Sequence, residues 1–303
     1  MTEAPTPRSQ AGEPIGATIA IVELVGGEVL ARRAAELAEL VQRHPIRGLI
    51  ICRGDGAGFA AVAGPNVTIL PAGGETVPRR RLTALQQSRD EVLCIVEDTL
   101  QISGEWVETV MAAFRDKSVS AAWGPIAVSP RLSARSRALG VLEYGRYLAP
   151  SPDAQLPGCG MAFRRAALDA AMSRSDEGIV EHVVAARIVA AGGAIRCRSA
   201  MTAVYEVEDA YGGRLATRFG HGRLYAGTAA GGKSVTGRIA LALRCLLVPA
   251  VLTLRAVGAT ARARNLKLSP PFLFWTMAMS CAWGAGEVWG YLAGPGDSAR
   301  SWR

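Results

Sequence analysis

Short apolar runs recur along the first half of the chain, each followed by a stretch with helical spacing. ATIAIV at 17–22, the run at 48–52, the run at 66–70 and VLCIV at 92–96 each have the length of a buried strand. Between them, Leu30, Ala34, Leu37 and Val41 predict a helix over 29–43 that His44-Pro45 ends. A basic-faced helix with Arg79, Arg80 and Arg81 is expected over 78–88, and another opens at Trp106 and continues through Val110 and Phe114. Trp106 and Trp123 are assigned to the core.

The alternation continues more loosely beyond that. A strand is expected over 118–128 and a basic helix over 131–147. LPGCGMAF at 156–163 reads as a glycine-rich loop entering a strand, ended by Arg164-Arg165. Helices follow over 166–172 and 177–191, the latter with Glu181 near its start and Gly192-Gly193 as its cap. Short strands are expected over 194–197 and 201–205, then an Arg- and Gly-rich segment, 211–225, containing His221. Strands alternating with helices imply an α/β fold: a mostly parallel sheet, right-handed crossovers and helices on both faces.

From about Arg238 the pattern changes. The segment 239–254 is almost wholly apolar, broken by Arg244 and Pro249. A basic linker with Arg255, Arg262, Arg264 and Lys267 leads to a second apolar segment, 272–293, interrupted by Glu287. The second segment has the length needed to cross a bilayer, and Trp275, Trp283, Trp289 and Tyr291 suit a membrane interface. Arg244 at mid-bilayer would cost about 2.5–3.5 kcal/mol. The expectation is therefore that 239–254 lies in the interface and that 272–293 is the span or a deep re-entrant helix with Glu287 turned toward protein, a hairpin of the two segments being the alternative.

Composition agrees with a membrane-associated α/β protein. The chain has 303 residues, 50% of them hydrophobic, with a mean hydropathy of +0.19 and a formal net charge of +8. That balance points to anionic partners: a membrane surface or a phosphorylated ligand. Nucleic acid is disfavoured, because no zinc spacing, RNP-like strand or helix-turn-helix pattern is present. The six cysteines form no CxxC pair and read as reduced thiols. Residues 1–15 are polar and Pro-rich, lack an apolar h-region and read as a disordered tail.

The stretch EVLCIVEDTLQISGEW carries the candidate chemistry. A buried strand delivers Glu97 and Asp98 to its own C-terminal end, where ligands gather in open α/β sheets. A divalent cation held by such oxygens could neutralise a diphosphate, although the same pair could simply punctuate a strand and cap a helix. Arg80 offers a guanidinium that matches phosphate geometry.

Four segments, in order, resemble the inverting family-2 glycosyltransferases with the GT-A fold. CIVEDTLQISGEW is similar to the strand and loop bearing their acidic metal motif. LPGCGMAFRRAAL resembles the acceptor-side loop, EHVVAARIVAAGG the helix with the catalytic base, and RFGHGRLYAG the basic segment that follows. WGAGEVWGYLAG resembles the membrane-associated tail of some bacterial members.

The resemblance implies a role for each matching residue. Asp98 stands at the last acid of the metal motif, with Mg²⁺ or Mn²⁺ as cofactor, and Glu97 shapes the site or meets the sugar. Glu206 or His221 would complete the metal site, and Glu181 would be the base. Glu23 and Asp55 fall on the donor side, Gly158 and Gly160 let the backbone approach the sugar or acceptor, and Arg218 and Arg223 with His221 would clamp a phosphate. The chain also departs from the pattern: Val96 replaces the first aspartate, Glu181-His182 stands where two acids are usual, and Val22-Glu23 lacks the customary Asn.

These readings divide the chain into a tail at 1–15, a GT-A domain at 16–236 and membrane-associated helices at 237–303. The expected function is transfer from a nucleotide-diphosphate sugar to a lipid-linked or envelope-glycan acceptor. The site would be the inner membrane, with the catalytic domain facing the cytoplasm. A non-catalytic membrane scaffold or sugar-nucleotide sensor of the same fold is the alternative. A nucleotidyltransferase would need a fuller phosphate loop than Gly26-Gly27 provides.

Overall fold

The computed structural model describes residues 16–150, 155–208, 215–263 and 266–298. The expected tail at 1–15, residues 211–214 of the basic segment and Arg264 of the linker lie outside them.

The first half is a βα alternation: β1 (Ala17–Val22), α1 (Gly27–Arg43), β2 (Ile46–Cys52), the short α2 (Ala60–Ala63), β3 (Val67–Pro71), α3 (Val77–Gln87) and β4 (Val92–Glu97). β5 (Leu100–Gln101), α4 (Gly104–Phe114), β6 (Val119–Trp123), β7 (Ile126–Val128) and α5 (Ala134–Tyr144) follow. The chain continues with β8 (Met161–Arg164), α6 (Arg165–Ala171), α7 (Glu181–Ala190), β9 (Ala194–Cys197) and β10 (Ala203–Tyr205). It closes with α8 (Leu215–Ala229), α9 (Val235–Arg244), α10 (Val248–Arg262) and α11 (Pro270–Ala293).

Seven strands form the main sheet in the order β3-β2-β1-β4-β8-β6-β9, and β5-β10-β7 form a second, smaller one. β1 runs parallel to both neighbours, with Val22 opposite Ile51 and Glu97. β8 is the exception, antiparallel to β4 and to β6. Every side chain of β1 and β4 is buried, as strands covered on both faces require. Successive residues of β1 serve opposite layers. Ile19 and Ile21 pack with Leu30, Leu37, Trp106 and Phe114 of α1 and α4. Ala20 and Val22 pack with Leu82, Leu168 and Ile188 of α3, α6 and α7.

Three sequence expectations need revision. The strand at 118–128 is two strands in different sheets, because Gly124-Pro125 breaks it and a Cβ at Gly124 would collide with the Met201 carbonyl. The described part of the basic segment, 215–225, lies in helix α8. Its glycines hid this, being weak helix formers.

The third revision concerns the membrane segments. α11 packs along α8, α10, α9 and α5, and Phe272 and Met279 join the main core. A Cβ at Gly286 would strike the Phe219 carbonyl, and one at Gly290 the Arg223 carbonyl. These small residues let the two backbones approach closely. Trp283 donates to Glu287 Oε1 at 2.8 Å and lies 4.5 Å beneath the Arg218 guanidinium, while Arg135 covers Trp275 at 5.5 Å. The packed face of α11 is thus made largely of small and polar residues, while Leu273, Phe274, Met277, Trp289 and Leu292 stay exposed. Val235–Arg262, comprising α9, a 3₁₀ turn and α10, is long and apolar enough to cross a membrane, with mean hydropathy 1.9. Leu243, Leu246, Leu247 and Leu254 on it, and Phe274 nearby in sequence on α11, are exposed. The expected boundary at 236/237 falls inside α9, and α8 packs on the helix beyond it.

Gly286→Val should lower stability by about 1–3 kcal/mol or more, the usual cost of overpacking. Ser280→Ala on the same helix removes a buried hydroxyl with no partner and should be nearly neutral. Thermal unfolding of the two variants checks this, and equal melting temperatures would contradict the close-packed α8–α11 seam.

Candidate functional site

β1, β2 and β4 end at the same edge of the sheet and deliver Glu23, Arg53, Glu97 and Asp98 there. Asp98 is fully buried, and its carboxylate serves its own chain. Leu24 N donates to Oδ1 at 3.0 Å, Val25 N to both oxygens at 3.1 and 3.0 Å, and Gly26 N to Oδ2 at 2.7 Å. These amides belong to the β1–α1 turn, so Asp98 fastens the end of β4 to the start of α1. Burial raises the Asp98 pKa, and the Gly26, Val25 and Leu24 amides offset part of that rise.

Two further ion pairs frame the edge. Glu23 is buried and accepts from the Arg53 backbone N at 2.6 Å and from Arg53 Nε at 2.8 Å. Arg81 donates from Nη2 to Glu97 Oε1 at 2.6 Å and from Nη1 to Glu181 Oε2 at 3.1 Å. Burial disfavours the charge on Arg81, yet Glu97 and Glu181 hold it protonated more firmly than usual. Burial pushes the Glu97 carboxyl up against the opposing pull of Arg81. Arg81 therefore bridges the acid at the end of β4 and the acid that opens α7.

Arg80 stands beside it in sequence but in a different state. It is 0% exposed, and none of its three guanidinium nitrogens has a hydrogen-bond partner within the protein. Burial and then Arg53 push its pKa down, while Glu23, Asp98 and Glu97 oppose them. A buried, unpaired cation is costly unless an anion satisfies it.

The glycine-rich loop before β8, expected on the acceptor side, meets the same network. A Cβ at Gly158 would sit 3.5 Å from Arg81 Nη2 and 3.6 Å from the Glu181 carboxyl carbon. Gly160 has φ +63°, a conformation that favours glycine, and turns the chain into β8. Asp55 follows β2 and is exposed, its Oδ1 accepting from Ala57 N at 3.0 Å in a local turn.

The expected metal set does not assemble. Both Asp98 oxygens are engaged by amides. Glu206 reaches the same edge, its N donating to Thr99 O at 3.3 Å, but its carboxylate faces Arg33 Nη2 at 3.9 Å. His221 is buried on α8, where burial lowers its pKa and Glu143 and Arg218 are the charges it senses. Among the described residues no three His, Cys, Asp or Glu side chains gather to hold a metal. The residues present therefore do not fit Mg²⁺ or Mn²⁺ as Asp98, Glu206 and His221 were expected to.

The basic clamp is corrected likewise. Arg218 pairs with Glu143 and stacks on Trp283, and Arg223 Nε donates to Gly294 O at 3.1 Å. Both are engaged in the helical layer. Sequence reading missed Arg33, Arg53 and Arg81. Arg79-Arg80-Arg81 looks like a solvated run, but α3 turns the last two inward, and the helical period from buried Val77 to buried Ala84 was the available signal.

No protein-family model matches the chain, and no curated protein matches it in sequence. Its architecture is similar to that of a mannosyltransferase from Pyrobaculum calidifontis solved with GDP-Man and Mn²⁺. The match has TM-score 0.50 and 16% identity, over 92% of this chain and 88% of that one. The chain has the GT-A fold. GalNAc-T7, solved with UDP, GalNAc and Mn²⁺, aligns with TM-score 0.48 and 12% identity over 64% of this chain and 44% of its own. A mycobacterial protein aligns with TM-score 0.42 and 15% identity, over 65% and 69% of the two chains.

Asp98→Ala strands three backbone amides, that of Gly26 buried and those of Leu24 and Val25 partly so, and should destabilise the protein by about 3 kcal/mol. Glu206→Ala, which removes a contact at 3.9 Å from an Arg33 that keeps Glu36 as its partner, should cost less than about 1 kcal/mol. Urea denaturation midpoints separate the two. A wild-type midpoint for Asp98→Ala would refute the fastening role.

Proposed function

We propose that this chain transfers a sugar from a nucleotide-diphosphate sugar to an acceptor hydroxyl, with inversion, at a membrane surface. Arg80 carries the reading: a fully buried guanidinium, unpaired within the protein, at the strand ends of a GT-A sheet. A diphosphate supplies the anionic oxygens that such a cation lacks, and guanidinium matches them in geometry. The mannosyltransferase of similar fold was solved with a nucleotide sugar, which supports the same donor class here.

The acceptor oxygen attacks the anomeric carbon as the bond to the diphosphate breaks. Glu181, partly exposed beside Gly158, takes the acceptor proton. Arg81 holds that carboxylate in place from behind, and Arg80 offsets charge on the departing diphosphate. The exposed leucines of α9 and α10 suit a membrane surface, and the cytosolic supply of sugar nucleotides supports a site on the inner face of the cytoplasmic membrane.

The pairing of Glu181 with Arg81 also favours a second reading, a non-catalytic sugar-nucleotide-binding protein, since one oxygen of that carboxylate is already occupied by the guanidinium. Two variants decide. Arg80→Gln should weaken nucleotide-sugar binding about 10–100-fold by calorimetry, the worth of a charged hydrogen bond. Glu181→Gln should leave that binding intact and cut turnover about 10²–10⁴-fold. Donor binding without any turnover or donor hydrolysis by the wild type would establish the second reading, and no binding at all would exclude both.

A further inference from the structure

Between α5 and α10 lies a cleft of ≈ 500 Å³. Its lining is of two kinds. Val141, Leu142, Leu252 and Ala256 give aliphatic walls, and Arg146, Arg255 and Arg262 give positive charge. The carboxylate of the lining, Glu143, is already taken by Arg218 of α8. Arg146, Arg255 and Arg262 are exposed, and none pairs with a carboxylate among the described residues. The cleft therefore combines uncompensated positive charge with hydrocarbon, and the exposed Leu254 that also lines it continues into the apolar surface of α9 and α10.

We propose that this cleft binds the anionic head and first tail carbons of a lipid-linked acceptor, an amphiphile with a phosphate head and a single aliphatic chain. Three guanidinium groups match phosphate oxygens, and the aliphatic walls match a chain that inorganic phosphate lacks. The apolar face outside gives the rest of the chain a path to the bilayer.

The cleft is also joined to the candidate catalytic loop. Gly145 and Arg146 line it, and the tyrosines on either side reach inward. Tyr147 Oη donates to Leu156 O at 3.1 Å, and Cys159 Sγ donates to Tyr144 Oη at 3.5 Å. Between those two anchors is Gly158, beside Glu181. An occupant of the cleft thus abuts the turn that holds the loop next to the proposed base. Its role as acceptor rests on the glycosyltransferase reading, whereas its binding in the cleft does not.

The test uses the full-length protein and n-octyl phosphate, with inorganic phosphate and n-octyl glucoside as the head-only and neutral-head probes. Octyl phosphate should bind at least tenfold more tightly than either probe. The triple variant Arg146→Gln, Arg255→Gln, Arg262→Gln should lose at least tenfold in affinity. Gly258→Leu, which keeps every charge and fills the cleft, should do the same. Arg32→Gln, an exposed arginine on α1, should bind as the wild type does. Unchanged affinity in both cleft variants would overturn the proposal, as would inorganic phosphate binding as tightly as octyl phosphate. Nucleotide-sugar binding on the same preparations separates the two readings: its absence alongside cleft binding refutes the glycosyltransferase and leaves the amphiphile site standing.

Discussion

A carboxylate without contact with water is tolerated only when its oxygens are satisfied, and Asp98 is satisfied by three consecutive backbone amides. This single demand fixes the geometry of the whole edge. It sets the β1–α1 turn against the end of β4, which places Glu23 where Arg53 can close over it. It also brings Arg33 of α1 close enough for its Nε to donate to the Asp98 carbonyl at 3.3 Å. Arg33 in turn faces Glu36 and Glu206, so the second sheet is joined to the first through one guanidinium. The acid that a sequence reader assigns to a ligand is here the fastening of the fold.

Charge is distributed unevenly behind that fastening. Glu23, Glu97 and Glu181 each have an arginine, Arg53 or Arg81, whereas Arg80 has none within the protein. Two adjacent residues of one helix thus differ: Arg81 is structural cement between α3, β4 and α7, and Arg80 is a buried guanidinium with no hydrogen-bond partner within the protein. The helix can present both because it enters the sheet layer at its N-terminal half, with Pro78 in its first turn and Ile179 N bonded to the Pro78 carbonyl at 2.9 Å.

Periodicity conveyed the first half of the fold well, since strands such as 17–22 and 92–97 are mostly apolar and wholly buried and the helices between them carry one buried stripe. It failed where tertiary contact overrides local pattern. Nothing in MAFR says that β8 runs against its neighbours, because an antiparallel strand buried on both faces looks like a parallel one. The site was legible as positions and less so as roles. Glu97, Asp98, Glu181 and Gly158 do gather at one edge, but the one arginine that pairs with both Glu97 and Glu181, Arg81, comes from a run that reads as solvent-facing. Arg218 and Arg223 were misjudged for the opposite reason: a basic segment suggests phosphate, and burial against α11 was invisible without the glycine contacts.

The place of β8 has a consequence for how the chain is made. Residues 17–97 can build β3-β2-β1-β4 as soon as they leave the ribosome, but the free side of β4 has to wait for a strand that begins at residue 161. Until then VLCIVE, apolar except for its last residue, is an unprotected edge of the kind that recruits other chains. The interval that carries β5 to β7 and the helices around them is therefore a window of vulnerability during synthesis. The antiparallel insertion that brings the acceptor-side loop to the sheet edge is what creates it.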